Sequence, residues 1–382
     1  MHLRTGFSAL ALLAALEIAH AQNDGIWISA PGGSWANANN WLDGTIADGT
    51  DSTATFGISI YPVNATAAFA LNGARTVGNL NFTAQSGPDN WTFSTGSGGP
   101  LTLDNSFDFP GITLNLANLQ VTLNVVLAGN AGLEKLGAGT LVLTATNTYS
   151  GGTMVSGGSF LVNGKLTGLD DVTVASGTLG GTGMISGPVT MQAGTVLSPG
   201  NSPGTLTISN VLTLQSGSKT WIDVNASTLA HDTLQGISAL NYGGTLTVSN
   251  LAGVPALGQS FPIFSAANFS GNFSSITPQL TGSVRWRFNP ASGVLTVIST
   301  NLKPKFAGIA LLEKTNLVML VTNGVPGTTN YLLTATNLTL PRTSWSRLAT
   351  NAFDAGGNVN STNAVNPTIP QRFFLISVPA NP

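Results

Sequence analysis

The sequence predicts an all-β protein, a parallel β-helix followed by a small antiparallel β-sandwich. Three observations carry this. First, a hexapeptide pattern of an apolar residue, two variable residues, Gly, Ser or Thr, and usually a second apolar residue recurs five times, centred on Gly139, Gly158, Gly177, Gly194 and Gly217. The spacings are 19, 19, 17 and 23 residues. A repeat of that length marks a solenoid, in which no copy buries its apolar face without a neighbour. Second, short segments of alternating apolar and polar residues, separated by Gly, Asn and Ser, fill the chain and read as half-buried strands. Third, charged residues make up only 7% of the 382-residue chain, with Thr, Ser, Asn and Gly supplying the polarity. That composition suits stacked coils, where like uncharged side chains form ladders. An ordinary antiparallel sandwich explains the alternation but not the fixed glycine pattern.

In chain order, residues 1–21 read as an export signal. His2 and Arg4 precede an apolar run from Phe7 to Leu16, and Ala19-His20-Ala21 fits a small-x-small cleavage site, so the mature chain is expected to begin near Gln22. The apolar run is too short to cross a bilayer, and no later segment approaches a span. Residues 22–299 are assigned to the β-helix. Trp27, Trp35 and Trp41 mark a front cap over 22–60. Between Gly111 and Gly129, Ile112, Leu114 and Leu116 alternate with polar residues, and the phase flips after Ala117-Asn118 to Leu119, Val121, Leu123, Val125 and Leu127. Such a flip marks a corner.

The repeats follow, with Leu136, Val155, Val174, Met191 and Leu214 three residues before each glycine. Leu141, Phe160, Leu179, Val196 and, exceptionally, Lys219 stand two residues after. Two or three strands per coil give on the order of 10–14 coils, a rod of ~50–65 Å. Phe261, Phe264, Phe269, Phe273, Trp286 and Phe288 crowd a rear cap over 255–299, where the glycine pattern fades. Caps of this kind protect the open ends of a solenoid. Lys303-Pro304-Lys305 reads as a linker. Residues 300–382 are assigned to the sandwich, with strands at Leu317–Val321, Tyr331–Thr336, Ser346–Ala349 and Arg372–Val378.

The segment from Glu134 to Gly164 resembles the autotransporter-associated β-strand repeat, or passenger-associated transport repeat. The matching residues are Lys135, Gly137, Gly139-Thr140-Leu141, Asn147-x-Tyr149-Ser150-Gly151, Thr153 and Gly158; Ala145 and Phe160 depart from it. The Trp35-x5-Trp41 start, the segment Gly194 to Gly204, and His231-Asp232-Thr233-Leu234 with Gly244-Thr245-Leu246 are similar to such passengers too. The resemblance implies a right-handed β-helix, bacterial origin and export to the outer-membrane surface or beyond; it brings no catalytic residues. Residues after Thr300 are too few for an eight-stranded membrane barrel, so the chain is not expected to be a complete autotransporter.

Chemistry is sparse. The chain has no cysteine, which excludes thiol chemistry. Residues 22–299 carry six basic and twelve acidic residues and residues 300–382 six and two, without the dense Lys/Arg clusters that nucleic-acid binding needs. His231, next to Asp232, is the one histidine after residue 21, and adjacency alone makes no triad. Asp170-Asp171, with Asp223 and Lys165 or Lys219, is the set that a calcium-dependent polysaccharide lyase would need, but Asp170-Asp171 reads first as a turn. Sequons at Asn64, Asn81, Asn90 and Asn225 are expected by chance in this composition. No catalytic, cofactor-binding or metal residue is assigned, and no cofactor. The expected function is a non-enzymatic scaffold or adhesin-like passenger; the alternatives are a glycan-binding protein, on a coil face or through Tyr331, Arg342, Trp345 and Arg347, and a polysaccharide lyase or hydrolase. The expected partners are extracellular glycans or cell-surface components, not nucleic acid.

Overall fold

The computed structural model describes residues 23–29, 32–57, 66–83, 90–369 and 371–378. The segment read as an export signal and the sequon at Asn64 lie outside the described residues.

The chain winds into a parallel β-helix with three faces. On the first face, strands stack in parallel from Gly25–Trp27 through Thr53–Phe56, Asn79–Phe82, Gly111–Leu114 and Leu133–Leu136 to Val189–Met191, Val211–Leu214, Ala239–Tyr242 and Phe269–Gly271. The ten-residue strands Thr153–Val162 and Val172–Gly181 run around a corner and belong to the first and second faces at once. The ladder makes eleven turns among the described residues, within the expected range. The second face runs from Gly32–Ser34 to Ser275–Thr277. The third is shorter and breaks once, between Leu127–Ala128 and Thr146–Asn147.

The repeat registers one copy on the next. Val155 pairs with Val174, Val174 with Met191, and Met191 with Leu214. All four are buried. The expected column therefore exists, and each member removes its apolar surface from water against the copies above and below. Gly158 and Gly177 turn the corner at φ +61° and +89°. A Cβ on either would lie 2.2 Å from a carbonyl oxygen of the preceding turn, so side chain and conformation both exclude other residues there.

Three inward residues differ from expectation. In the first copy Lys135, not Leu136, stands in the column, paired with Ile112 on one side and Val155 on the other. One extra corner residue in this turn shifts the phase, and Gly137 rather than Gly139 takes positive φ. In the fourth and fifth copies Leu197 and Thr220 point inward, pairing in the row that continues from Leu179, while Val196 and Lys219 face out. Thr195 and Ser218, fully or nearly fully buried, are the added residues, each closing its corner by donating to a main-chain carbonyl three residues back. Lys219 is thus no exception in the pattern; the count from the glycine changed.

At the front, Trp27, Trp35 and Trp41 are each 1% exposed and meet edge to face at 5.1 Å centroid separations. Each indole N–H finds a carbonyl, that of Trp35 on Ala47 and that of Trp41 on Trp35. At the rear, the hairpin Val284–Asn289 and Val294–Ser299 pairs antiparallel with Ser260–Pro262 and carries Trp286 and Phe288 onto Tyr242, Phe261, Phe264 and Phe273. Such aromatic pairs bury large area and gain about 0.5–1.5 kcal/mol each beyond it.

Beyond Ser299 two three-stranded antiparallel sheets form. One orders Lys305–Leu312, Asn316–Thr322 and Val359–Ala364, the other Ser346–Ala352, Thr329–Ala335 and Phe373–Ser377. Lys305, read as linker, instead opens the first strand. The alternation missed this strand because Phe306 to Leu312 is apolar on both faces and carries a register shift between Phe306 and Gly308. The sheets meet over Leu317, Met319 and Leu332. They also touch the helix end, where the amides of Phe288 and the guanidinium of Arg287 donate to Ala355 and Gly356, each at 2.8 Å.

Candidate functional site

Lys135, Asn147 and Tyr149 of the repeat point inward. Lys135 is fully buried. Its ammonium donates to the carbonyls of Leu136, Gly137 and Gly157 at 2.9–3.0 Å, tying one turn to the next. Burial lowers its pKa to about 8; the three accepting carbonyls favour the charged form and limit that fall. Asn147 does the same work on the third face. Its Oδ1 accepts from Leu127 N at 3.0 Å, and its Nδ2 donates to the carbonyls of Ala145 and Lys165. One amide thereby joins three successive turns at the place where the third face breaks. The Tyr149 hydroxyl, whose ionisation burial suppresses, lies 2.7 Å from Thr153 Oγ1. Each of these three side chains is engaged by the fold itself.

The acidic candidates scatter. Asp170 accepts from Gly151 N at 2.8 Å, a bond to the preceding coil and not within its own turn. With Asp171, Phe109 and Met154 it lines a shallow cleft of about 280 Å³. Lys165 is exposed on the third face, in the outward row of Thr146 and Met184. Lys219 and Asp223 stand on the second face. Among the described residues no three His, Asp or Glu side chains converge as metal ligands.

Asp223 and Asp232 do come together, a pairing that sequence separation hid. Asp232 is fully buried; its carboxylate accepts from Gly204 N and Asp223 N, each at 2.8 Å. Burial raises its pKa, against those two hydrogen bonds, and the Asp223 charge adds to the rise. Asp223 accepts from the Ser202 hydroxyl and, at 3.2 Å, from the Trp221 indole. The pair fastens the Ser198 to Gly204 double turn to the next coil. His231 turns away: its Nδ1 lies 2.8 Å from the Leu229 carbonyl and its ring packs edge-on against Phe261. Ser202, Asp223 and His231 therefore do not line up as a nucleophile, base and orienter.

Beside these scattered charges the coils present uncharged rows. On the first face Thr173, Thr190, Thr213, Asn241 and Ser270 pair in one outward row, with Asn241 bridging Thr213 and Ser270 by side-chain hydrogen bonds of 3.3 and 2.5 Å. Adjacent rungs of such a row stand ~4.8 Å apart. On the second face Trp221, 43% exposed, faces out beside Thr247. In the antiparallel module Tyr331 and Arg347 are brought together, the guanidinium 3.9 Å from the ring centroid, so that ring face is covered. Trp345 donates to Leu340 O and, with Arg342, belongs to a separate turn.

With this geometry in place, two similarities stand out. The Passenger-associated-transport-repeat family matches residues 133–162, the turn built around Lys135 and Asn147. The chain is also 34% identical over 139 residues to the Adhesin BmaC autotransporter of Brucella suis biovar 1 (strain 1330). The match covers 36% of this chain and 3% of that relative's length. The autotransporter-associated repeat is thus present both as a sequence and as a turn of β-helix. Among the described residues no helix is long and apolar enough to cross a membrane.

Proposed function

We propose that the chain is a non-enzymatic, adhesin-like β-helical passenger that displays rows of uncharged hydroxyl and amide side chains to cell-surface components. Its location is the cell surface or the extracellular space, as the transport repeat and the adhesin similarity indicate. The observation that carries the reading is the division of polar groups. The Lys135 ammonium and the Asn147 amide of the repeat are spent inside, on main-chain atoms of neighbouring turns. The outside carries hydroxyl and amide ladders.

In this reading residues 1–21 are removed on export. Residues 22–60 and 255–299 close the two ends of the helix, and residues 300–382 form an attached module. Fractionation of the producing cells, with N-terminal sequencing of the recovered protein, tests it. The expected result is protein in the outer-membrane or extracellular fraction that begins near Gln22. Retention in the cytoplasm with an intact leader would sink it.

A second reading, glycan binding on a coil face, is favoured by Trp221, an exposed indole oriented by Asp223. Sugar rings stack on such surfaces while hydroxyl rows accept and donate beside them. A glycan array probed with the intact chain and with Trp221→Ala separates the two: binding lost in the variant supports a sugar subsite on that face, and equal signals remove it.

A further inference from the structure

The strand Lys305–Leu312 is the edge of its sheet, paired on one side with Asn316–Thr322 and, among the described residues, on the other with nothing. Ile309 and Leu311 stand directly opposite Met319 and Leu317 and so share their inward face. Yet Met319 and Leu317 are 1% and 4% exposed, and Ile309 and Leu311 are 52% and 54% exposed. The facing sheet stops short of them. Its own edge strand, Phe373–Ser377, leaves Phe374 and Ile376 half-buried. The two sheets are closed on one side and open on the other.

The open side holds a cavity of about 370 Å³, with Leu311, Leu317, Ile369 and Phe374 on its walls and Lys314 and Arg372 at its rim. No acidic residue lines it. Neither cation takes part in an ion pair among the described residues. The Arg372 Nε is buried and has no hydrogen-bond acceptor. A buried guanidinium nitrogen without an acceptor is costly unless something supplies one.

We propose that this seam is a strand-addition site for an extended peptide of another protein, one with apolar residues at alternate positions and a carboxylate, from an acidic side chain or a chain terminus, at one end. The peptide's backbone pairs with the free edge of Lys305–Leu312. Its alternate side chains lie beside Ile309 and Leu311 and reach Phe374. Its carboxylate meets Lys314 and Arg372. An edge strand that is long, apolar and without inward charge is what natural sheets ordinarily avoid unless it is covered, and main-chain pairing with pockets for alternate side chains is a recurring mode of peptide capture. A lipid acyl chain would fill the cavity but leave the strand's amides and carbonyls unused. A second copy would bring two modules of the same net positive charge together, since residues 300–382 carry six basic residues against two acidic ones.

The test uses the full chain and an array of synthetic nonapeptides bearing Val, Ile, Leu or Phe at alternate positions and ending in Asp, Glu or a free carboxylate. Hits are titrated by fluorescence anisotropy. Saturable binding is expected. It should weaken by about tenfold or more in the Lys314→Glu, Arg372→Glu double variant, since a charge-assisted contact becomes a repulsion, and in Ile309→Lys. N-methylation of alternate amides on the hit peptide should abolish it. Circular dichroism confirms that the surface variants remain folded. The proposal is overturned if no peptide on the array binds, or if the N-methylated peptide binds as well as its parent. It is overturned equally if lauric acid or anionic vesicles bind with the same dependence on Lys314 and Arg372 while peptides do not. Concentration-dependent dimerisation abolished by Ile309→Lys, without peptide binding, would assign the edge to a second copy instead.

Discussion

Lys135 shows how one residue both obeys and breaks the pattern around it. Its aliphatic stem takes a place in an apolar column, between Ile112 and Val155, and its ammonium reaches past the column to three corner carbonyls. Its folded pKa, about 8, lies below the ordinary lysine value of 10.5. Between those two values the unfolded chain holds a proton that the folded chain has released, so stability rises with pH across that window. Below it the cost of the buried charge is fully present. Thermal unfolding of the native chain should therefore shift upward between pH 8 and 10.5. Lys135→Met should flatten that rise. The variant also strips three carbonyls of their donor, a cost of about 1–3 kcal/mol that loss of the buried charge offsets below pH 8 and that stands unopposed above pH 10.5. A melting profile with the same alkaline slope in both proteins would refute the assignment. None of this is legible from hydrophobic periodicity, which expects an apolar residue at an inward position and so chose Leu136. Asp223 and Asp232 escaped notice for a related reason: turns bring residues nine apart into one cluster, and no local period announces it.

At the scale of one turn, the fold was legible wherever the turn length stayed constant. Val155, Val174, Met191 and Leu214 fall in one column because glycine repeats mark equivalent corners, and corners set the register. Legibility failed where a corner gained a residue, as at Leu136, Thr195 and Ser218, since one insertion reverses which side chain points in. It failed again at Lys305–Leu312, whose two apolar faces carry no period of two. A turn, unlike a residue, is replaceable as a unit. Val172 registers with Val189 and Val174 with Met191. Deleting the 17 residues from Val172 to Pro188 therefore sets Met191 beneath Val155 with every inward residue still inward. Deleting eight fewer residues, from Val172 to Gly180, halts the chain mid-turn and breaks the ladder. The first variant should keep its β-sheet circular dichroism and a cooperative melt, because repeat stability is close to a sum of turns and their interfaces. The second should aggregate or unfold. Equal behaviour of the two would show that register along the column does not govern this fold.

For the molecule as a whole, the sparseness of charge decides how it responds to its surroundings. Charged residues are 7% of the chain, and the one ion pair among the described residues joins Arg75 to Asp48 at 2.8 Å. Cohesion instead comes from a continuous apolar core that runs from the front tryptophans to the rear hairpin. Side-chain amides and hydroxyls supply the remaining links between turns. Simple salt screens charge pairs and leaves apolar burial and neutral hydrogen bonds nearly untouched at moderate concentration. The melting temperature should accordingly move by less than about 2 °C between about 50 mM and about 0.5 M NaCl. Peptide capture at Lys314 and Arg372 should weaken over the same range, because its carboxylate contact is electrostatic and near the surface. Both responses are read on one protein preparation, by calorimetry and by anisotropy. A large shift of the melt would mean that charge, not the apolar column, holds the rod. A salt-independent peptide affinity would mean that the two cations at the rim of the seam make no contact with the ligand.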